Sequence, residues 1–376
     1  MRIVYCIAGT RHSGGMERVL ANKANWLATH GYDVIIVTTD QHGEKPFFHL
    51  DSAIKCYDLA INYENNNGKS FFNKALNYPF KQLRHRYRLS SLLKTTKADI
   101  VISMFCNDAS FLPNINDGSA KILEIHFSRF KRLQYNRCGI WHIADTIRSK
   151  NDTKTVARYD KFVVLTQEDQ TYWGCMPNIT AIPNANSFHS TLQSTLQSKR
   201  VLAIGRLTHQ KGFDLLIDAW KLVCERNNDW TLTIAGDGPL KDQLRQQINK
   251  YNLHNRVELI GAVKNIEQLY TESSIYALSS RYEGLPMVLL EAQSAGLPIV
   301  AFQCKCVPKD VITDGVDGYL VEEEDLNGFA ERLLTLIDNP TLRTEFGIAA
   351  HNNSKYYDET TIMHRWESLF EDIRPK

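Results

Sequence analysis

Residues 3–38, IVYCIAGTRHSGGMERVLANKANWLATHGYDVIIVT, decide the fold class of this chain. The apolar run from Ile3 to Ala8 predicts a buried strand, and a glycine-containing loop leads from it into an amphipathic helix that ends near Gly31. A second apolar run, Val34 to Thr38, predicts another buried strand. Two buried strands joined by a helix are the βαβ unit of a parallel sheet, so we expect an α/β protein with a doubly wound sheet.

The same succession of strand, loop and helix recurs at residues 200–217, RVLAIGRLTHQKGFDLLI. At 376 residues the chain is long enough for two domains of ordinary size. Between the two patterns, residues 186–198 are rich in Ser, Thr and Gln and lack periodicity, which is typical of a linker. We therefore expect one domain over residues 1–185 and a second over residues 199–356.

The composition, 43% hydrophobic and 23% charged, is that of a globular protein. No apolar run reaches the roughly 18 residues of a membrane span, and the scattered cysteines favour free thiols over disulfides. Residues 1–190 carry 24 Lys and Arg against 16 Asp and Glu, a balance of +8, and residues 191–376 carry 20 against 26, or −6. The first half is therefore expected to face an anionic partner.

The segment 279–291, SSRYEGLPMVLLE, holds Glu283 and Glu291 eight positions apart across a Gly-Pro turn. A strand before that turn and a helix after it bring unpaired backbone N–H groups to one point, which suits a phosphate. Alone, the two glutamates are more readily a loop carboxylate and a solvated helix residue. The apolar helix around Glu291 favours a buried carboxylate with a partner instead. A nucleotide diphosphate sugar, anionic in the middle with hydroxyls at both ends, fits this arrangement.

This segment resembles the E-x7-E signature of the retaining glycosyltransferases of family 4, which have the GT-B fold. Residues 205–212 match the G-R-x4-K-G pattern of the same family. The resemblance covers nearly the whole chain and is stronger in the second half. It implies two Rossmann-like, doubly wound parallel-sheet domains facing a central cleft, the first binding the acceptor and the second the nucleotide-sugar donor. A helix within residues 357–376 would cross back to the first domain.

The resemblance also implies roles for individual residues. Glu283 would contact the donor sugar and Glu291 the ribose hydroxyls. Arg206 and Lys211 would stabilise the departing diphosphate, with no metal ion and no other cofactor. His126, at a predicted strand end, would point at the donor sugar and would be catalytic with Glu283, Arg206 and Lys211. Further donor-binding positions are Gly14, Gly15, Gly261, Ala262, Gly284, Leu285, Pro286, Met287 and Val288.

Residues 81–97 carry six Lys and Arg and no acid, with leucines and a tyrosine between them. Such a helix is either a solvated surface with a stripe towards the core or an element that lies on an anionic membrane surface, and the sequence leaves both open. The preceding residues 61–80, which begin with an Asn-rich stretch, are expected to form an exposed loop. Candidate contacts to an anionic acceptor or membrane are Arg84, Arg86, Arg88, Arg129, Lys131 and Arg132.

The resemblance implies a metal-independent enzyme that moves a hexose from a nucleotide diphosphate sugar, foremost a UDP-sugar, to a saccharide or lipid-linked acceptor, with retention. We expect it to act in cell-surface polysaccharide or glycolipid synthesis. The expected location is the cytoplasm, with peripheral attachment to the inner face of the membrane and no nucleic acid partner. The alternative is a catalytically inactive sugar-nucleotide binder or assembly protein of the same fold. A hydride-transfer enzyme is disfavoured because the loop at residues 9–18 lacks G-x-G-x-x-G.

Overall fold

The computed structural model describes residues 1–66, 71–130, 140–186, 193–263, 265–304 and 308–374, and the side chains of residues 71–75, 140–144 and 308 lie outside this description. The chain divides into two compact units. Unit 1 comprises Met1–Pro183 and Thr360–Lys376, and unit 2 comprises Asn184–Glu359. The last helix of the chain therefore groups with the unit that the first half builds.

Unit 1 is built on a seven-stranded sheet with the order β3-β2-β1-β4-β5-β6-β7. Its strands are β1 (Arg2–Ile7), β2 (Asp33–Thr38), β3 (Lys55–Asp58), β4 (Ile100–Ser103), β5 (Ala120–Glu124), β6 (Lys161–Val164) and β7 (Ile179–Ala181). All neighbouring strands run parallel. Ile3 in β1 lies opposite Val34 on one side and Ile100 on the other. The strand order reverses between β1 and β4, which makes the sheet doubly wound.

Helices cover this sheet because each presents an apolar stripe at helical spacing. They are α1 (Gly15–Thr29), α2 (Phe71–Thr96), α3 (Ile140–Val156), α4 (Gln167–Trp173) and, from the end of the chain, α12 (Glu359–Ile373). In α12 the buried side chains are Ile362, Met363, Trp366, Leu369 and Phe370. Glu367 of α12 accepts a hydrogen bond from the Tyr32 hydroxyl at 2.9 Å, and Arg365 donates to the carbonyl of Ala181. These contacts fasten α12 to unit 1.

Unit 2 repeats this plan with a six-stranded parallel sheet in the order β10-β9-β8-β11-β12-β13. Its strands are β8 (Arg200–Ile204), β9 (Thr231–Ala235), β10 (Val257–Gly261), β11 (Ile275–Leu278), β12 (Ile299–Phe302) and β13 (Gly318–Val321). Its helices are α5 (Phe213–Arg226), α6 (Lys241–Lys250), α7 (Ile266–Thr271), α8 (Met287–Ser294), α9 (Pro308–Val311), α10 (Leu326–Asp338) and α11 (Pro340–Ser354). In its core, Leu216 and Trp220 of α5 belong to one cluster with Phe329 and Leu333 of α10.

The predicted α/β class with two doubly wound parallel sheets is confirmed. The loop prediction for residues 61–80 is wrong in its second half, because α2 begins at Phe71 and runs through the basic segment to Thr96. Pro79 lies inside this helix and removes one N–H donor from it without ending it. None of the helices in the described part of the chain is long and apolar enough to cross a bilayer.

The residues expected to form a linker are partly described. Of these, Leu196 is buried in unit 2, and the Ser194 hydroxyl donates to the carbonyl of Ser273. The backbone N–H of Ser194 also donates to the carbonyl of Ala295 at 2.9 Å. Residues 193–196 are therefore part of unit 2 and are fixed there by packing and hydrogen bonds.

Candidate active site

The carboxyl edge of the unit 2 sheet collects most of the predicted donor-binding residues. In a parallel sheet all strands end at the same edge, so the loops after β8 and β11, which are neighbours in the sheet, meet there. The loop after β8 holds Arg206 and Lys211, and the loop after β11 holds Glu283 and leads into α8. Residues 72 positions apart in the sequence thus become neighbours.

Lys211 and Glu283 form an ion pair at this edge. The Lys211 Nζ lies 2.6 Å from Glu283 Oε1, and the exposed fractions of the two side chains are 16% and 6%. The Ser280 hydroxyl donates to the same oxygen at 2.6 Å, and Gln210 Nε2 lies 3.4 Å from the other. An ammonium group has three N–H donors, so Lys211 keeps donors for a second anion while it binds Glu283.

Hydrogen bonds hold the two loops together and fix the position of this pair. The Ser279 hydroxyl donates to the carbonyl of Lys211 at 2.9 Å, and the Arg281 guanidinium makes two bonds of 2.9 and 2.7 Å to the Asp214 carboxylate. Gly212, directly after Lys211, has a φ of 60°, and a Cβ there would lie 2.1 Å from the carbonyl oxygen of Ser279. Only glycine allows the loops to approach this closely.

Two neighbouring features are suited to an anion. The Arg206 side chain is exposed and makes no hydrogen bond or ion pair with the part of the chain that the structure describes. Helix α8 begins at Met287, and Pro286 before it provides no side-chain cap. Because the first N–H groups of a helix have no partner within it, the backbone N–H groups of Gly284, Leu285, Met287 and Val288 lie as donors at the positively polarised end of α8, and Pro286 has none.

The carboxylate of Glu291 lies inside unit 2. Its side chain belongs to the buried part of α8, with 1% of the residue exposed, and its Oε2 accepts a hydrogen bond from the Tyr270 hydroxyl at 2.8 Å. The prediction of a buried carboxylate with a partner is thus confirmed, and the partner is a tyrosine of α7. Gly261 ends β10 with a φ of 75°, and Ala262 after it is exposed at the same sheet edge.

In unit 1 the predicted glycines begin α1. Gly14 is the N-cap residue with extended backbone, and Gly15 is the first residue of the helix. No atom lies within 4 Å of the position of a Cβ on Gly15. The N-cap residue of α1 provides no side-chain cap, and the Glu17 carboxylate of the first turn lies beside it, because a Cβ on Gly14 would meet Glu17 Oε2 at 2.1 Å.

His126 belongs to a buried charged group, which we call the Lys23 cluster (Lys23, Glu124, His126 and Trp366). The Lys23 Nζ lies 2.8 and 2.7 Å from the two oxygens of Glu124 and 3.4 Å from the ring centre of Trp366. His126 Nε2 lies 3.1 Å from Glu124 Oε1, while neither ring nitrogen forms a well-aligned hydrogen bond with the described residues. The lysine and glutamate side chains are 5% and 1% exposed.

The charged groups of this cluster shift each other's pKa values. Burial alone would raise the pKa of Glu124, but the Lys23 ammonium and His126 outweigh it and lower the pKa from 4.5 to about 2. Burial lowers the pKa of Lys23, and Glu124 partly offsets this effect. The cluster is therefore a stable arrangement only as long as both partners are present.

This shift predicts acid sensitivity of unit 1. Because the folded pKa of Glu124 is lower than its unfolded value of 4.5, its ionised form stabilises the fold above pH 4.5, and this stabilisation is lost as the pH falls towards 2. The expected loss is on the order of 3 kcal/mol in the free energy of unfolding. Urea unfolding of the wild type and of Glu124→Gln should show a difference that shrinks over this range. A constant difference would contradict the assignment.

The residues that we predicted to contact an acceptor or a membrane differ in their exposure and in their contacts. Arg84 and Arg86 are exposed on α2, whereas Arg88 donates to the carbonyl of Leu59. The Arg129 guanidinium stacks 4.6 Å above the ring of Trp173, so it is held by its own unit. Lys131 and Arg132 lie outside the described residues.

Several residues of these sites were not found by sequence reasoning. Ser280 and Gln210 contact Glu283, Tyr270 contacts Glu291, and Lys23 and Glu124 surround His126. Only Lys23 carried a signal, since it is a lone charge on the apolar face of a predicted helix. The other contacts join distant parts of the sequence and become visible only in the fold.

Comparisons with known proteins identify the family. The family model for "Glycosyl transferases group 1" matches residues 186–353. The amylovoran biosynthesis glycosyltransferase AmsD of Erwinia amylovora is 31% identical over 98% of this chain and 99% of its own length. The α-1,4-N-acetyl-D-galactosaminyltransferase of Campylobacter jejuni that acts on GalNAc-α-(1→4)-GalNAc-α-(1→3)-diNAcBac-PP-undecaprenol is 26% identical over 100% of this chain and 99% of its own.

A comparison with a solved structure shows that the fold is similar as well. The crystal structure of HepE from Anabaena in complex with UDP-glucose superposes with a TM-score of 0.75 at 17% identity, covering 99% of this chain and 100% of the other. Similarity at this identity concerns the fold, and it agrees with the two parallel sheets described above. Together with the sequence relatives, it shows that this chain belongs to the group 1 glycosyl transferases, family 4, whose members are retaining glycosyltransferases with the GT-B fold.

Proposed function

We propose that this protein transfers a hexose from a UDP-sugar to a saccharide or lipid-linked acceptor in the synthesis of a cell-surface polysaccharide or glycolipid. Two relatives support the acceptor class, because one is named for the biosynthesis of amylovoran and the other for an undecaprenol-linked saccharide. The structure of HepE with UDP-glucose supports the nucleotide. We place the reaction on the cytoplasmic face of the membrane, with unit 1 binding the acceptor and unit 2 the donor.

The observation that carries this proposal is the pairing of Lys211 with Glu283 beside the uncapped start of α8. The carboxylate is held in place by Lys211 and Ser280, so it can accept hydrogen bonds from sugar hydroxyls in a fixed geometry. The ammonium group and the exposed Arg206 can face the diphosphate that becomes a leaving group. Fixed cations next to a developing negative charge stabilise the transition state.

The reaction breaks the bond between the anomeric carbon and the diphosphate oxygen and forms a bond from that carbon to an acceptor oxygen. UDP leaves with the bonding electron pair, and its departing phosphate oxygen takes up the proton that the acceptor hydroxyl loses. Arg206 and Lys211 would neutralise the diphosphate, and the backbone N–H groups of Gly284, Leu285, Met287 and Val288 would donate hydrogen bonds to it. Glu283 would orient the sugar, Glu291 the ribose and His126 the donor sugar from unit 1. Gly14, Gly15, Gly261 and Ala262 would let the backbone approach the donor closely.

The test is the release of nucleotide diphosphate from UDP-, GDP- and ADP-sugars in the presence of a chelator. We expect slow hydrolysis of a UDP-sugar, accelerated by the right acceptor, and loss of this activity in Glu291→Ala. Hydrolysis of a GDP- or ADP-sugar alone would overturn the choice of base. UDP-sugar binding without turnover, for every acceptor tried, would favour the inactive binder, and no binding to any of the three would contradict the role of unit 2.

A further inference from the structure

Helix α2 exposes a continuous apolar stripe on the outside of unit 1. The side chains Leu76, Phe80, Leu83 and Tyr87 are 67%, 73%, 66% and 77% exposed. Their spacing of four, three and four residues puts them on one face of the helix. Most surface helices turn their apolar face inwards, so four large exposed side chains in one line need an explanation.

The opposite face of α2 already provides the contact with unit 1. His85, Leu89 and Leu93 are 2%, 0% and 0% exposed, and the two leucines belong to the core cluster of this unit. The helix is therefore apolar on two faces, of which one packs into the core of unit 1 and the other leaves about two thirds or more of each side chain exposed. The exposed stripe is not needed to attach the helix.

Positive charges flank the exposed stripe on both sides. At 100° per residue, Arg84 and Arg86 project roughly 80° to either side of its axis, and both are exposed. Lys94 is exposed two turns further along, close to the line of the stripe. The sequence of α2 contains no Asp or Glu. The outer face thus combines apolar and aromatic side chains with a border of cations, the composition of a helix that lies in a membrane interface.

We infer that the outer face of α2 lies in the interface of an anionic phospholipid bilayer, with Leu76, Phe80, Leu83 and Tyr87 inserted among the lipids. Arg84 and Arg86 then reach the lipid phosphates. A second copy of the chain fits less well, since a two-fold contact through this face brings like charges together, whereas lipid phosphates complement them. This inference deepens the acceptor side of the proposed function, because a membrane-bound enzyme meets its lipid-linked acceptor at the bilayer surface.

The experiment measures co-sedimentation of the full chain with phosphatidylcholine vesicles, with and without phosphatidylglycerol, in the absence of any donor. We expect binding to the anionic vesicles. Phe80→Ser combined with Leu83→Ser should weaken it by about tenfold or more at low and at high salt, because burial of apolar area is insensitive to salt. Arg84→Ser combined with Arg86→Ser should weaken it roughly 30-fold at low salt and much less at high salt.

The matched control is Lys45→Ser combined with Phe47→Ser, which removes an exposed cation and an exposed aromatic ring from the segment between β2 and β3. It should bind as the wild type does. The inference would be overturned if the wild type did not bind the anionic vesicles, or if both α2 variants bound them as strongly as the wild type does. It would also be overturned if the wild type formed a dimer and the Phe80→Ser, Leu83→Ser variant were a monomer with unchanged vesicle binding. Donor hydrolysis without vesicles reports on the proposed function separately, so the two can fail independently.

Discussion

Replacing Lys211 with alanine is expected to slow sugar transfer by about 10²- to 10³-fold, mainly through kcat. The substitution removes a cation that we place against the leaving diphosphate, and among the described residues it leaves the Glu283 carboxylate in contact with Ser280 and Gln210. An interaction that strengthens as charge develops in the transition state lowers the barrier to reaction, so its loss affects kcat more than KM. Steady-state kinetics with the preferred UDP-sugar measures both constants.

The control is Lys199→Ala, which removes an exposed lysine from the opposite end of β8, where it pairs with Asp229. It should keep activity close to that of the wild type. Thermal unfolding of both variants separates a folding defect from a catalytic one. If Lys211→Ala is folded and retains kcat within about threefold of the wild type, the role of this lysine at the diphosphate is wrong, since such a change is under 1 kcal/mol.

Replacing Lys23 with methionine is expected to lower the free energy of unfolding by about 3–5 kcal/mol. Methionine fills a similar volume, so the change mainly removes the ammonium group between Glu124 and the ring of Trp366. The Glu124 carboxylate is then buried without its main counter-charge. The loss is a large fraction of the roughly 5–15 kcal/mol by which native proteins are stable, so we expect a clear decrease in the urea midpoint at neutral pH.

A double variant tests whether the unpaired charge is the cause. Lys23→Met combined with Glu124→Met replaces the ion pair by two apolar side chains and should recover most of the lost stability, because a buried pair is often no better than apolar packing. As a control, Lys55→Met removes a partner of Asp33 from an exposed ion pair and should change stability by less than about 1 kcal/mol. A Lys23→Met variant no less stable than Lys55→Met would contradict this account.

The sequence was sufficient to predict the fold class, and it was sufficient to predict that the candidate site residues Arg206, Lys211 and Glu283 follow the ends of strands. Both follow from local patterns, since apolar runs mark strands and parallel strands end at a common edge. The pairing of Lys211 with Glu283 could not be predicted in this way. It depends on β8 and β11 being neighbours and on the close approach at Gly212, and neither is encoded in a local spacing.

Helix α2 shows a second feature that could not be predicted from the sequence. The Asn-rich residues 62–68 suggested a loop over residues 61–80, although the apolar side chains from Leu76 to Tyr87 keep a helical spacing. A sequence with two apolar stripes does not reveal which stripe is buried, because burial depends on what the rest of the fold offers for contact. The prediction for Arg88 illustrates this point, since Arg88 contacts its own unit while Arg84 and Arg86 face outwards.

The assignment of α12 to unit 1 has a consequence for biosynthesis. Because the sequence of unit 2 is inserted between the two parts of unit 1, a ribosome completes residues 184–359 before it adds Trp366. Until then the nascent unit 1 lacks the aromatic ring that covers Lys23 and the buried face of α12. A premature stop near residue 359 would therefore leave the sequence of unit 2 intact and damage unit 1, which would lose the helix that packs on it.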